Sequence, residues 1–140
     1  MRALQFIGLA VLALLGTVGC SKKSDTAVLE GKWAVVAMTG ASPDEIKGMT
    51  WSVIGNQITG TNPGGPSGKM SFKLVDKSQP KTIDFTALDG NRQGQTDVGI
   101  YSLEQDRLRV CLSTANSTVR PAELRETEKS WIMEFKRMER

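Results

Sequence analysis

Two patterns of hydrophobic and polar positions divide the chain. Residues 3 to 16 are apolar except for Gln5, and this stretch is shorter than the ~20 residues that a membrane span requires. From Val28 onward, apolar and polar residues alternate in short runs that Gly, Asn, Asp and Pro separate. A period of two is typical of strands with one buried face. The second part of the chain is therefore predicted to be an all-β domain.

Alternation predicts eight strands. They are expected at Gly31–Met38, Thr50–Ile54, Gln57–Gly60, Lys69–Val75, Thr82–Leu88, Val98–Glu104, Arg107–Ser113 and Trp131–Arg137. Gly55 and Asn56 tolerate positive φ and suit a two-residue hairpin turn, and Gln105-Asp106 forms another tight turn. Eight strands with mostly short connections favour an antiparallel barrel, because closure removes exposed strand edges. A β-sandwich is the alternative.

Short helical and flexible segments complete the prediction. One short helix is expected near residues 43–48, because Ser42 suits an N-cap, Pro43 the first helical position and Glu45 a capping box, and Gly48 would end it. A helical turn near residues 123–129 is a further candidate. The polar and basic residues 21–27 are predicted to be a flexible tether.

The start of the chain has the pattern of a secretory signal, with Arg2 before the apolar segment. Small residues precede a cysteine in Thr17-Val18-Gly19-Cys20, which resembles the bacterial lipobox, with Thr17 where Leu is usual. The resemblance implies that residues 1–19 are a lipoprotein signal peptide, that Cys20 is acylated, that residues 20–28 are a lipidated tether and that residues 29–140 are the domain. Ser21 after the cysteine resembles lipoproteins sorted to the outer membrane. The expected location is therefore the bacterial envelope, on the outer membrane facing the periplasm.

Composition narrows the chemistry. The chain has no histidine, so it lacks the commonest general base and a major zinc and copper ligand. We expect no enzyme activity, no catalytic residue, no metal and no cofactor. Asp84 and Asp97 are the candidate carboxylates for a pair that hydrolyses sugars, but a structural role is favoured. Asp84 is expected to accept hydrogen bonds from turn amides or to pair with Arg120. Charge is nearly balanced and forms no long basic block, which argues against a nucleic-acid partner.

Cys111 is the only cysteine besides Cys20. If Cys20 carries lipid, Cys111 has no disulfide partner within the chain. Its neighbours Leu108, Val110 and Leu112 share one strand face, and Cys111 takes the other. If those three face outward under a covering loop, Cys111 points into the barrel. We expect a packed thiol, with a reactive thiol as the alternative.

An ordered set of motifs resembles a family of small, often planctomycetal, uncharacterised domains with a lipocalin-like fold. The motifs are Leu29-Glu30-Gly31-Lys32-Trp33, Pro80-Lys81-Thr82-Ile83-Asp84-Phe85, Gly99-Ile100-Tyr101-Ser102-Leu103, Asp106-x-Leu108-x-x-Cys111 and Arg120-Pro121. The similarity runs from about Leu29 to Arg137, with Leu124 where the family usually has Phe. It implies a lipocalin-like barrel and no particular activity.

Gly31-Lys32-Trp33 also resembles the opening of the first lipocalin strand. That resemblance implies that Trp33 plugs one barrel end and that an arginine packs across it by a cation–π contact. Arg137 is the first candidate for this role and Arg120 the second.

Two functions remain open at this stage. In the first, Trp51, Phe72, Tyr101 and Cys111 line a cavity that binds a small apolar ligand, since such pockets are mostly apolar. In the second, the barrel is solid, and loops 61–68 and 114–130 contact an envelope protein or inhibit an enzyme. In both, lipid on Cys20 holds the protein to a membrane.

Overall fold

The computed structural model describes residues 22–115 and 117–139. The expected signal peptide, the lipidation site Cys20 and Ser21 lie outside the described residues. No helix within the described part of the chain is long and apolar enough to cross a membrane.

The fold is a closed barrel of eight antiparallel strands. The strands are β1 (Gly31–Met38), β2 (Thr50–Ile54), β3 (Gln57–Thr61), β4 (Gly68–Val75), β5 (Thr82–Ala87), β6 (Thr96–Glu104), β7 (Arg107–Ser113) and β8 (Ser130–Glu139). Each strand pairs with its neighbours in sequence, and β1 closes the barrel by pairing with β8. The predicted barrel is confirmed, and the β-sandwich alternative is wrong.

The inward positions of the alternating strands form one core. Trp33 and Val35 of β1 face the interior, as do Met133 and Phe135 of β8. Trp33 and Phe135 are at most 1% exposed, and full burial of such a side chain contributes roughly 1.5–3 kcal/mol. The hydrophobic pattern therefore sets both the strand register and the inside of the barrel.

The barrel has two different ends. Odd-numbered strands begin and even-numbered strands finish at the first, which we call the closed end. The helix α1 (Asp25–Leu29) lies across it, and Leu29 is 1% exposed within the core. The opposite end, which we call the open end, carries the helix α2 (Pro43–Ile46) and the loops 62–67, 88–95 and 114–129.

The sequence prediction for residues 21–27 is corrected from Asp25 onward. Instead of a free tether, Asp25 begins α1, with Ser24 as its N-cap, and Asp25 is buried against the barrel. The Asp25 carboxylate accepts hydrogen bonds from Lys81 Nζ and Tyr101 Oη, both at 2.8 Å. These contacts offset the cost of removing the charge from water. A polar segment therefore packs against the barrel, although its composition predicts no packed structure.

The helix α2 confirms the prediction near residues 43–48. The Ser42 hydroxyl accepts from the backbone N–H of Glu45, and the Glu45 carboxylate accepts from the backbone N–H of Ser42, which completes a capping box. Gly48 follows with a φ of +80°. Residues 123–129, in contrast, form bends, turns and a bridge rather than a helical turn.

Candidate ligand-binding cup

The open end holds an apolar cavity of about 320 Å³, which we call the cup. Each of the eight strands contributes at least one residue to its wall, and a few residues next to the strands complete it. Its larger apolar side chains include Met38, Met49, Trp51, Met70, Trp131 and Met133. The cup therefore lies in the barrel mouth, where lipocalin-like folds have room for a ligand.

Methionines dominate the wall of the cup. Met38, Met49, Met70 and Met133 are four of the six methionines in the chain. A thioether side chain is flexible and polarizable, so it adapts to irregular apolar shapes and makes favourable contacts with aromatic rings. The wall suits an apolar ligand of variable outline better than one rigid shape.

Aromatic rings form the floor of the cup. The ring of Trp51 meets Phe135 at a centroid distance of 4.1 Å and Phe85 at 5.5 Å, the latter edge to face. Trp51 is 7% exposed, and the side chains beneath it are buried. These rings thus separate the cup, which lies towards the mouth, from the buried side chains below.

Gly60 keeps part of the cup open. It pairs with Trp51 across β2 and β3 and with Gly68 across β3 and β4. A Cβ atom at position 60 would lie 3.6 Å from Trp51 Cδ1, which is an ordinary contact. A larger side chain would therefore enter the cup without a backbone clash.

The rim of the cup carries one ion pair. Arg92 donates to both carboxylate oxygens of Asp97, at 2.7 and 3.0 Å. The hydrogen bonds and charge of Asp97 raise the pKa of Arg92. Each charge is thus neutralised by the other, and the polar edge faces solvent while the wall below stays apolar.

The four residues predicted to line a cavity do not share one site. Trp51 lines the cup, whereas Phe72 is 6% exposed and packs in the interior opposite Phe85. Tyr101 lies towards the closed end, where its hydroxyl reaches α1. The side chain of Cys111 lies on the outer face of β7. Of the four predicted residues, one therefore lies in the wall of the cup and three lie elsewhere.

Cys111 faces away from the interior, contrary to the predicted cavity-lining position. Leu108, Val110 and Leu112 belong to the inner core, so alternation turns Cys111 outward. Its thiol donates to the carbonyl oxygen of Arg125 at 3.5 Å, and the residue is 0% exposed. Loop 114–130 therefore covers the thiol on the outer wall, and the prediction of a packed thiol is confirmed.

Arg120 lies on the barrel flank instead of a barrel end. Its Nη1 atom donates to Asp84 Oδ1 at 2.7 Å and to the Gly99 carbonyl at 2.8 Å. The predicted pairing of Asp84 with Arg120 is confirmed. Asp84 points outward from β5, whereas Asp97 lies at the cup. The two carboxylates thus flank no common substrate position.

Arg137 and Trp33 form the plug that the lipocalin resemblance implies. The guanidinium carbon of Arg137 lies 4.1 Å from the centroid of the Trp33 ring. The contact is at the closed end, beneath α1, so it closes the barrel on the side opposite the cup.

Tyr101, Asp25 and Lys81 form a polar cluster at the closed end. Burial raises the pKa of Asp25, but the hydrogen bonds from Lys81 and Tyr101, together with the charges of Lys81 and Lys22, lower it by more, so the pKa lies below its usual value. Burial and the neighbouring Asp25 carboxylate raise the pKa of Tyr101 far above its usual value. The cluster thus holds a fixed carboxylate and a protonated phenol, which fasten α1 to the barrel.

Sequence reasoning missed the methionines of the cup. They stand on β1, β4 and β8 and before β2, and no short spacing connects them. Two criteria together could have identified these methionines from the sequence. Each methionine stands near the open end of a predicted strand, and each is at or beside a position that faces the barrel interior. Within residues 22–115 and 117–139, no group of three or more Cys, Asp or Glu side chains is placed to hold a metal ion.

Comparison of the chain with protein-family models, with curated proteins and with solved structures gives no match.

Proposed function

We propose that this protein is a lipid-anchored envelope protein with a lipocalin-like barrel that binds a small apolar ligand, or the apolar end of an amphipathic one, in the cup. One observation carries the proposal: a concave, methionine- and tryptophan-lined cavity of about 320 Å³ lies in the barrel mouth. Ligand pockets span roughly 300–1,000 Å³. The volume of the cup is near the lower limit of that range, so the cup fits one ring system or the end of an acyl chain.

Binding rather than catalysis fits the groups at the cup. Among the described residues that line it, Arg92 and Asp97 carry charge, and they pair with each other. Such a site offers apolar contact area and a polar rim that orients a head group.

A matched pair of glycine variants tests the cup. N-phenyl-1-naphthylamine is the probe, because its fluorescence rises in apolar surroundings. We expect saturable binding, at least tenfold weaker in Gly60→Leu because the new side chain fills the cup. Gly65→Leu puts the same side chain into the adjacent loop and should bind like the original chain. Absence of saturable binding, or equal affinities of both variants, would refute the cup as the ligand site.

The anchor has its own test. Palmitate supplied to the expressing bacterium should label the protein, and Cys20→Ser should remove the label. An unlabelled original chain would exclude acylation and leave the cup proposal untouched.

The second candidate function is contact with an envelope protein through loop 114–130. It is favoured by Val119, which is 71% exposed on that loop. Cross-linking in intact cells should then give an adduct that Val119→Ser abolishes and that Gly60→Leu preserves.

A further inference from the structure

The chain enters the barrel at its closed end, close to the proposed anchor. Asp25, the first residue of α1, follows Cys20 by five residues, and five residues span at most about 18 Å. Arg137 holds α1 in place by donating to the carbonyls of Val28 and Glu30 at 2.6 and 2.9 Å. A lipid on Cys20 therefore keeps the closed end near the bilayer.

Three of the six large apolar side chains that are exposed in the described residues lie at this end. Ile54 is 77% exposed, Met138 58% and Val75 46%. They stand at or next to the last residues of β2, β8 and β4, and each faces outward. In the barrel order these strands lie within the continuous arc β8–β1–β2–β3–β4, so the apolar side chains occupy one half of the closed rim.

Lysines surround the same half of the rim. Lys22, Lys23 and Lys77 are exposed there. Two surface grooves flank α1; Lys23, Lys32 and Ile54 help to line a groove of about 420 Å³, and Lys22, Lys77 and Lys81 help to line one of about 360 Å³.

Three acidic groups near this half contact the protein itself, and one of them, Asp76, accepts from the backbone N–H of Asp25 at 3.5 Å. Asp25 accepts from Lys81 and Tyr101, and Glu30 accepts from the backbone N–H of Gly55. The exposed acids Glu104 and Asp106 lie on the other half of the rim, at the turn between β6 and β7. The β8–β4 half therefore combines basic and apolar groups.

We infer that the β8–β4 half of the closed end docks on the anionic surface of the bilayer that holds the lipid anchor. Ile54, Val75 and Met138 reach the head-group level, and the lysines face lipid phosphates. Each lysine near an anionic surface contributes about 1 kcal/mol, so the patch orients a domain that is already tethered. This inference rests on the proposed anchor and deepens the proposed function, because the cup then points away from the membrane and takes its ligand from the aqueous side.

Orientation is measured on the acylated protein in phosphatidylglycerol vesicles that contain a nitroxide lipid. A bimane label is placed on Ile54→Cys at the closed end or on Leu88→Cys at the open end; Cys111 is buried and does not compete. We expect at least twofold stronger quenching at position 54. Equal quenching, or stronger quenching at position 88, overturns the docking.

Charge reversal tests the same surface without the anchor. The chain from residue 20, with Cys20→Ser, contains every described element, and its binding is compared on vesicles with and without phosphatidylglycerol. Lys22→Glu/Lys77→Glu should weaken sedimentation with anionic vesicles at least tenfold, whereas the matched open-end pair Lys47→Glu/Lys129→Glu changes it less than twofold. Equal losses contradict the inference. Because this chain is unacylated, its result is independent of palmitate labelling, which alone decides the anchor.

Discussion

Arg137 stacks on Trp33 while both side chains cap the end of α1. The Arg137 guanidinium lies 4.1 Å from the Trp33 ring and donates to the carbonyls of Val28 and Glu30, and Trp33 Nε1 donates to the carbonyl of Leu29 at 2.9 Å. Carbonyls at a helix C-terminus have no partner within the helix, and a cation there is favourable. Two barrel residues thus complete a helix that precedes the barrel in sequence.

Removal of the Arg137 guanidinium should destabilise the protein. Arg137→Met keeps most of the apolar stem but removes the donor to the carbonyls of Val28, Glu30 and Gln105, so we expect a loss of about 2–4 kcal/mol in the free energy of unfolding. Urea denaturation measures the loss. Lys136→Met, at the exposed neighbouring position, should change stability by less than about 0.5 kcal/mol. Equal effects of the two variants would contradict the capping role.

Tyr101 should resist ionisation in the folded protein. It is the only tyrosine in the chain, so absorbance near 295 nm reports it alone. Burial and Asp25 raise its pKa, so the native protein should show no tyrosinate at pH 11, whereas the chain in guanidinium should titrate near pH 10. A native titration near pH 10 would show that the hydroxyl is free of Asp25.

Alkaline stability follows from the same shift. A group whose pKa is higher in the folded state contributes stability that is fully present below its unfolded pKa and lost as pH rises above that value. The free energy of unfolding should therefore fall above about pH 10, and Tyr101→Phe should remove part of that slope. Urea titrations at pH 9, 10 and 11 measure it, and identical slopes in the two proteins would refute the coupling.

The barrel was predictable because each strand buries one face. The bounds of all eight strands shift by at most two residues between the prediction and the structure, because the alternation ends where burial of one face ends. On β7 the alternation does not identify the inward face, because both faces are buried. Leu108, Val110 and Leu112 are buried inside the barrel, and Cys111 is buried on the outer face under a loop. Alternation separates the two faces of such a strand but does not say which one is inner.

Polar contacts between residues far apart in sequence could not be predicted, because no local sequence pattern indicates them. Asp25 meets Lys81 and Tyr101 across 56 and 76 positions of sequence, so the first turn of α1 looks like a solvated tether. The cup was missed for a related reason, since its methionines come together only after the barrel closes. Composition shows how many methionines the chain has, whereas the register of the paired strands determines which of them lie together.

Cys111 should be protected by loop 114–130. We expect the thiol of the Cys20→Ser chain to react with a disulfide reagent at least about 100-fold more slowly when native than when unfolded, because the residue is fully buried. Ser130→Ala removes a 3.0 Å hydrogen bond to the Arg125 carbonyl and should speed the native reaction severalfold.

Thr86→Ala is the matched control for that variant. It removes a hydroxyl whose hydrogen bond runs between β5 and β6, to Thr96, rather than within the loop, so the reaction rate should stay unchanged. Native reactivity as high as that of the unfolded chain would contradict the covered position of Cys111.

Substitution by alanine should affect stability very differently at two glycines in the strands. A Cβ atom at Gly99 would lie 2.5 Å from the Cys111 carbonyl oxygen and 2.6 Å from Leu112 Cδ2, whereas at Gly60 the nearest atom is 3.6 Å away. Gly99→Ala forces the backbones of β6 and β7 apart, so we expect a loss of about 2–4 kcal/mol. Gly60→Ala should stay within about 1 kcal/mol of the original stability. Urea midpoints measure both, and a tolerated Gly99→Ala would mean that β6 and β7 lie further apart than their close approach at Gly99 requires.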